Sequence, residues 1–338
     1  FFGGDLQGII DHLDYLKDLG ITGLYLCPIF EATTNHKYDT TDYFEIDRHF
    51  GDKEVFANLV EEAHKRGIKI MLDAVFNHIG YQSAQWQDVL KNGEKSPYKD
   101  WFHIQEFPVT EDKLQNPRQL PYHTFAFASY MPKLNTANPE VKDYLLSVAT
   151  YWIENFDIDA WRLDVANEID HQFWKDFRKA VLAKKPDLYI LGEIWHTSQP
   201  WLQGDEFHAV MNYPLSESIK DYFLRQHKKT EQFISEINSQ SMYYKQQISE
   251  VMFNLLDSHD TERILTTANG NIQHVKAALT FLFLQRGTPC IYYGTELALK
   301  GGPDPDCRRV MPWDRVSEDN DMLNFMKKLI QVRKEVAS

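Results

Sequence analysis

The sequence predicts an α/β fold, a TIM-type (β/α)8 barrel with an irregular insertion after its third strand. Apolar strand-like runs alternate with helical patterns along the chain, and parallel strands require such crossover connections. The 338 residues are enough for one barrel of about 250 residues with an insertion. Several apolar runs end in acidic residues. In a parallel sheet, these acids would emerge at the same end.

The helix and strand signals follow one another in a regular order. The first helix carries an apolar stripe from Ile9 to Leu19 and ends at Gly20. The predicted strands are buried-type runs at residues 23–29, 68–73, 160–165, 188–194, 209–213, 251–256 and 289–294. The predicted helices that separate or follow them lie at residues 55–63, 139–154, 171–184, 216–225, 230–239, 271–285 and 322–336.

Seven strand signals fall one short of a closed barrel. The first helix has no strand before it and the sequence lacks an initial Met. We therefore expect the first strand to lie upstream, in a longer chain. Residues 79–135 lack clear periodicity, and such a long irregular segment in a compact domain is usually functional. The prediction is a first barrel part at 1–78, an inserted domain at 79–135 that walls a cleft, and the rest of the barrel at 136–338.

Composition restricts the class of partner. A net charge of −13 argues against a nucleic acid or an anionic membrane, since both require basic patches, and fits a neutral substrate. Cys27, Cys290 and Cys307 lack the spacing of a metal site, and the first two lie in apolar runs. A reducing, cytoplasmic compartment is the expectation. No apolar stretch approaches transmembrane length.

Polar side chains gather where the predicted strands end, which is where barrel enzymes have their sites. They are Asp73, Asn77, His78, Arg162, Asp164, Glu193, His259 and Asp260. Any one of the acids alone could equally well cap the next helix, and either His could be a satisfied strand-end residue. Capping explains neither Arg162 nor the repeated His. The set as a whole therefore favours catalysis.

Two close carboxyl groups can hydrolyse a glycosidic bond with retention, one as nucleophile and the other as acid and base. Arg162 lies on the same strand face as Asp164 and would keep this carboxyl group ionised. Glu193 has a longer side chain and the apolar Trp195 nearby, which favours the protonated form.

The remaining polar residues receive supporting roles in this hypothesis. Asp260 would bind sugar hydroxyl groups and stabilise the positive charge of the transition state. His78 and His259 would donate hydrogen bonds to hydroxyl groups. A metal-dependent barrel hydrolase is a different possibility, but the chain contains no His-x-His pair and the two His are far apart.

At these residues the chain resembles the α-amylase superfamily of retaining glycoside hydrolases, glycoside hydrolase family 13. The four matching motifs, in order, are DAVFNH at 73–78, WRLD at 161–164, GEIW at 192–195 and SHD at 258–260. The resemblance implies Asp164 as the nucleophile, Glu193 as the acid and base, and Asp260 as the transition-state stabiliser. It covers almost the whole chain.

Two further motifs resemble the neopullulanase, cyclomaltodextrinase and maltogenic amylase group: MPKLN at 131–135 and DVANE at 164–168. The resemblance implies cleavage of α-1,4 and some α-1,6 bonds in cyclodextrins, pullulan, maltooligosaccharides or starch, with transglycosylation. It also implies that Tyr38 stacks on the sugar at the cleavage point. Asn167, Glu168 and Trp195 would line the leaving-group side, and Arg308 joins the substrate-binding set.

In this group an N-terminal β-domain builds a dimer, and a β-sandwich follows at the C-terminus. Neither has a counterpart in these residues, so a homodimer is an expectation for the full-length protein only. The chemistry requires no cofactor. In relatives the Gly3-Gly4-Asp5 stretch contributes to a calcium site with upstream residues, so Gly3 and Asp5 are candidate ligands of a partial calcium site. The alternative is a loop and a helix start.

Two other functions remain open. An α-1,6-glucosidase or glucanotransferase of the same superfamily is possible, although MPKLN argues against it. A non-catalytic barrel scaffold is the other, but such a protein should have lost catalytic acids, and this chain keeps all three.

Overall fold

The computed structural model describes residues 1–109, 116 and 118–337, and these residues form two compact units. The first unit contains Phe1–Asp14, Thr22–Glu193 and Asp205–Phe207. The second contains Tyr15–Ile21, Ile194–Gly204 and the chain from His208 onward. Part of the predicted insertion, residues 110–115 and 117, lies outside the described residues.

The first unit contains four strands of a parallel sheet and a separate pair of antiparallel strands. Its strands are β1 Gly23–Tyr25, β2 Phe30–Ala32, β3 Thr40–Ile46, β4 Lys69–Ala74, β5 Ala160–Leu163 and β6 Tyr189–Gly192. The helices up to residue 193 are α1 Leu6–Asp11, α2 Leu13–Leu19, α3 Lys53–Lys65, α4 Ala84–Asn92, α5 Pro139–Phe156 and α6 His171–Lys184. Strands β1, β4, β5 and β6 are neighbours in that order and pair in parallel, as the sequence predicted.

The strand register sets the height at which the acids leave the sheet. Asp73 on β4 is the register partner of Arg162 on β5, and Leu163 on β5 is the partner of Gly192 on β6. Asp164 and Glu193 each follow directly. Both therefore emerge at the same level at the carboxyl end of the sheet.

Two features of the first unit were not predicted. Strands β2 and β3 form an antiparallel pair, and the loop between them, residues 33–39, carries Tyr38; we call it the Tyr38 loop. The insertion also contains helix α4, where the Ser83 side chain accepts a hydrogen bond from the Trp86 backbone and Trp86 and Val89 are buried. Two buried apolar residues in one short helix do not form a periodic pattern that stands out in the sequence.

Gly192 is required by its neighbour Phe207, which is fully buried. A Cβ atom at position 192 would lie 2.5 Å from Cδ2 and Cε2 of the Phe207 ring. We expect Gly192→Ala to lower the free energy of unfolding by about 1–3 kcal/mol, because the ring cannot move aside without strain. Thermal unfolding measures this. Adding Phe207→Leu should recover most of the loss, and a full loss in the double variant would contradict the steric explanation.

The second unit also has parallel pairing, but over shorter strands than predicted. Its strands are β7 Ala209–Val210, β8 Phe253–Asn254 and β9 Thr288–Pro289. Strand β8 pairs in parallel with β9, and Met211 forms a parallel bridge with Phe253. The strand predicted at 289–294 is wrong beyond Pro289, because Thr295 donates a backbone hydrogen bond to Tyr292 and turns the chain.

Helices complete the second unit. They are α7 Tyr213–Ile219, a π-helix at Lys220–Leu224, α8 Thr230–Ser241, α9 Gln246–Ser249, α10 Ile264–Thr267, α11 Ile272–Leu284 and α12 Asp321–Ala337. Their core includes Leu279, Leu323 and Met326, all buried. Among the described helices, none is both long and apolar enough to cross a membrane.

Candidate active site

Three carboxyl groups converge on one guanidinium group in the first unit. Arg162 Nη1 donates to both oxygens of Asp73, at 3.1 Å each, and to Asp164 Oδ1 at 2.9 Å. Arg162 Nη2 lies 2.7 Å from Glu193 Oε2. We call these four residues the Arg162 cluster. Strands β4, β5 and β6 each contribute to it, as the register requires.

The Arg162 cluster is buried and carries more acids than bases. Burial raises the pKa of Asp164 well above its usual range, and the Arg162 charge opposes this while the Glu193 and Asp73 charges add to it. Burial likewise raises the pKa of Asp73. The sequence predicts that Arg162 keeps Asp164 ionised. Instead, one cation is shared by three buried acids.

The backbone at Val165 ties Glu193 to the segment that follows Asp164. The Val165 N–H donates to Glu193 Oε1 at 2.8 Å. Val165 has φ +38° and ψ +49°, a left-handed conformation that is unfavourable for a β-branched residue. Such strain costs on the order of 1–3 kcal/mol and persists where the surrounding contacts impose it.

Two tyrosines hold Asp73. The hydroxyl groups of Tyr25 and Tyr38 each donate to Asp73 Oδ2 at 2.8 Å. Asp73 is thus fixed by two phenols and by Arg162, and its oxygens face the protein. Asp73 is therefore suited to orienting Arg162 and the Tyr38 ring rather than to attacking a substrate.

His78 is buried, and its ring is already engaged within the protein. Its Nε2 lies 3.0 Å from the Tyr38 carbonyl oxygen, which can only accept a hydrogen bond. Burial lowers the pKa of His78 to about 3. The residue is therefore neutral with its proton on Nε2. A donation to a substrate hydroxyl group, as the sequence suggested, would require this bond to break.

The depressed pKa of His78 predicts a loss of stability in acid. The unfolded chain takes up the His78 proton near pH 6.5, whereas the folded protein does so only near pH 3. This contribution is complete above pH 6.5 and is lost as the pH falls towards 3. Lowering the pH from 7 to 4.5 should reduce the free energy of unfolding of the wild-type protein. We expect this reduction to be about 2–3 kcal/mol smaller in His78→Gln. Denaturant titration at both pH values measures this. Equal falls in the two proteins would contradict it, and exposed His123→Gln is the control.

Lys133 links the insertion to the loop after β4 and to the loop after β5. Its ammonium group donates to Asn77 Oδ1 and, at 3.0 Å, to the Glu168 carbonyl oxygen. Asn167 and Glu168, the two candidate substrate-binding residues in the loop after β5, are exposed.

The remaining candidates belong to the second unit. His259 Nε2 lies 3.1 Å from Asp260 Oδ2, and Arg308 Nη2 lies 3.9 Å from Asp260 Oδ1. Arg308 Nε also donates to the His259 carbonyl oxygen at 3.1 Å. Asp260 is exposed and His259 is buried. The three residues are thus held together, with the carboxylate facing solvent.

Trp195 presents a flat aromatic surface in the second unit. Its ring stacks on Tyr213 with centroids 3.5 Å apart and an interplanar angle of 7°. The Trp195 side chain is 46% exposed in spite of this contact. A supported, exposed indole ring suits contact with a sugar face.

Asp5, a candidate calcium ligand, caps helix α1. Its Oδ1 accepts the Gly8 N–H at 2.7 Å, which is the alternative that the sequence left open. Gly3 precedes it in a left-handed conformation with φ +82°. Within the described ranges, no group of three or more His, Cys, Asp or Glu side chains is arranged to hold a metal ion. A calcium site involving Gly3 and Asp5 stays a prediction.

Sequence reasoning missed three contributors to the site. Tyr25 lies in the buried-type strand run predicted at residues 23–29, and the sequence assigns it no role in the site. Lys133 was recognised only as part of a motif. The Val165 N–H is a backbone group, and its partner Glu193 is 28 residues away in the sequence. A polar residue inside an apolar strand, such as Tyr25, was the one signal available.

Residues 2–335 match the family described as Alpha amylase, catalytic domain. The chain belongs to the α-amylase family. The predicted membership and the (β/α)8-type barrel class are thereby confirmed. Close relatives carry the names that the finer motifs suggested. The chain is 60% identical over 335 residues to an intracellular maltogenic amylase of Bacillus subtilis, covering 99% of this chain and 56% of the relative.

Other α-amylase family members give the same result. A cyclomaltodextrinase of Geobacillus thermopakistaniensis (strain MAS1) is 58% identical over 335 residues, covering 99% of this chain and 56% of the relative. A solved cyclomaltodextrinase superposes with a TM-score of 0.95 at 54% identity, covering 99% of this chain and 57% of that one. The ligand-free cyclic α-maltosyl-(1→6)-maltose hydrolase from Arthrobacter globiformis has a TM-score of 0.95 at 42% identity. The match covers 99% of this chain and 75% of that one. The chain thus spans a little over half the length of the Bacillus subtilis and Geobacillus relatives.

Proposed function

We propose that this chain carries the catalytic machinery of a retaining glycoside hydrolase that cleaves α-glucosidic bonds. The observation that carries the proposal is the Arg162 cluster, in which Asp164 and Glu193 contact the same guanidinium group. A retaining mechanism needs two carboxyl groups close together, one to attack and one to transfer a proton.

In the first step, an Asp164 oxygen attacks the anomeric carbon and the glycosidic C–O bond breaks. Glu193 gives its proton to the leaving oxygen. In the second step, the Glu193 carboxylate takes a proton from water, whose oxygen attacks the anomeric carbon and releases Asp164. Arg162 touches both groups, so its charge is available to whichever one is anionic.

The substrate contacts are part of the same proposal. Tyr38, fixed by its hydroxyl group on Asp73, would stack on the sugar at the cleavage point. The supported indole ring of Trp195 would contact the leaving-group side, with Asn167 and Glu168. Asp260, exposed and flanked by His259 and Arg308, would bind hydroxyl groups and stabilise the transition state. His78 and His259 would donate hydrogen bonds to hydroxyl groups, which for His78 requires its bond to the Tyr38 carbonyl oxygen to break.

The substrate class is α-glucan: cyclodextrins, pullulan, maltooligosaccharides or starch, with transglycosylation. Its support is the names of the relatives, which include a cyclomaltodextrinase, a maltogenic amylase and, at 50% identity over 339 residues, Neopullulanase 2 of Thermoactinomyces vulgaris. The name of the Bacillus subtilis relative supports a cytoplasmic location. A homodimer and a calcium ion in the full-length protein are proposals that rest on the family resemblance.

A product profile on β-cyclodextrin, pullulan and starch tests the proposal. We expect maltose from the cyclodextrin and panose from pullulan, because panose forms when α-1,4 bonds are cut and α-1,6 bonds are kept. Maltotriose from pullulan instead of panose would favour the α-1,6-specific alternative, which a resemblance to debranching enzymes at 36% identity keeps open. No turnover of any substrate by the full-length protein would contradict the proposal.

A further inference from the structure

The insertion segment that contains Lys133 is paired with the loop that follows β4. The Ile79 N–H donates to the Pro132 carbonyl oxygen at 3.0 Å, and the Leu134 N–H donates to the Asn77 carbonyl oxygen at 2.9 Å. Lys133 lies between these two bonds and opposite His78. Its backbone is thus fixed, and its side chain is directed by that pairing. The hydrolytic steps described above make no use of Lys133.

The Lys133 ammonium group determines which way the Asn77 amide points. An ammonium group has three N–H donors and no acceptor, so the atom of Asn77 that it contacts must be the carbonyl oxygen Oδ1. The amide nitrogen Nδ2 then faces the opposite side. There it lies 3.3 Å from His78 Nδ1.

The amide orientation in turn determines the tautomer of His78. Because Asn77 Nδ2 is a donor, His78 Nδ1 must be the acceptor, and the ring proton must be on Nε2. Nε2 lies 3.0 Å from the Tyr38 carbonyl oxygen, which accepts this proton. The Lys133 ammonium group at one end and the Tyr38 carbonyl oxygen at the other therefore require the same direction for every bond between them.

The chain of hydrogen bonds ends at the Arg162 cluster. The Tyr38 hydroxyl group donates to Asp73 Oδ2 at 2.8 Å, and Asp73 accepts from Arg162. The second contact of the Lys133 ammonium group, the Glu168 carbonyl oxygen at 3.0 Å, lies four residues after Asp164. One cation thus contacts the loop that follows β4, which leads through His78 to the Tyr38 loop, and the loop that follows Asp164.

The position is costly for a charged group. Burial lowers the pKa of Lys133, with the Glu168 and Asp170 charges opposing this effect. A lysine whose only task was solubility would project into water. The ammonium group is held instead against two oxygen atoms, at the junction of three segments.

We propose that Lys133 is a positioning residue: its ammonium group fixes the Asn77 amide and the His78 tautomer and thereby holds the Tyr38 loop against the Arg162 cluster. This inference rests on the proposed function. Its hydrogen-bond part, however, can be measured without any catalytic assay.

Lys133→Met tests the inference, because it keeps the chain length and removes the donors. We expect kcat/KM for maltoheptaose to fall by about 10- to 100-fold, since small displacements of positioning groups have effects of this size. We also expect the ¹⁵N signals of the His78 ring to change from one Nε2–H tautomer to a mixture, because the Asn77 amide is then free to turn and its oxygen competes with the Tyr38 carbonyl oxygen for the ring proton. His78→Gln identifies those signals. Lys142→Met removes a lysine that pairs with Asp176 between α5 and α6, and should change neither property.

Asn77→Asp provides a second variant should Lys133→Met fold poorly. It keeps an acceptor for Lys133 and replaces the donor that faces His78, so His78 Nδ1 should become protonated. An unchanged His78 tautomer in both variants would overturn the inference. A fall in activity with an unchanged tautomer would overturn it as well, because Lys133 would then have a merely structural role. A changed tautomer in a protein that lacks all α-glucan activity would support the hydrogen-bond chain and contradict the proposed function.

Discussion

Asp164→Asn is expected to lower kcat on maltooligosaccharides by roughly four orders of magnitude or more, the effect of removing a covalent nucleophile. The amide cannot attack the anomeric carbon, and it no longer balances the Arg162 charge. In wild type, a fluorinated glucosyl donor should leave a covalent label on Asp164. Intact mass measurement should find no label on the variant.

The loss should not come from unfolding. Burial raises the pKa of Asp164, so an ionised carboxylate is unfavourable there and a neutral amide relieves its repulsion with Asp73 and Glu193. We therefore expect the variant to unfold at a temperature no lower than that of wild type. Asp176→Asn makes the same chemical change on α6 and should label normally. Persistent labelling of the Asp164 variant would refute the assignment.

Glu193→Gln is expected to slow the cleavage of substrates with poor leaving groups much more than that of substrates with good leaving groups. Cleavage of maltotriose needs a proton on the leaving oxygen, so its rate should fall by about 10²- to 10⁴-fold. An aryl α-glucoside with a nitrated phenol leaves without that proton, so formation of the glycosyl-enzyme should be much less affected. Burst-phase kinetics on both substrates measure the difference.

Glu206→Gln is the matched control for this experiment. Glu206 is buried and pairs with His171 rather than with Arg162, so its amide variant should leave the leaving-group dependence unchanged. Equal losses on maltotriose and on the activated glycoside in Glu193→Gln would contradict the role of Glu193 as the acid.

The parallel strands and their terminal acids could be predicted because the information is local. Strand β4 is a nearly continuous buried run that ends at Ala74, and Asp73 is part of it. The same holds for Arg162 on β5, for Asp164 directly after β5 and for Glu193 directly after β6. Parallel pairing then brings strand ends together whatever the details of the loops.

The contacts that refine the site could not be predicted because they join distant segments. The Tyr25 and Tyr38 hydroxyl groups reach Asp73 across 48 and 35 residues, and Lys133 reaches Asn77 across 56. Nothing in the sequence around Tyr38 signals the β2–β3 pair, since register shifts interrupt its ladder. The strained backbone of Val165 is imposed by its surroundings, against the local preference of valine.

The central claim is that Asp164 and Glu193 act as the pair of a double-displacement mechanism. Proton NMR of the full-length protein acting on maltotriose tests it directly, because the anomeric proton of the first-formed product shows its configuration before mutarotation. Two successive displacements at the same carbon predict the α-anomer. A β-anomer as the first product would mean a single displacement by water and would contradict the mechanism.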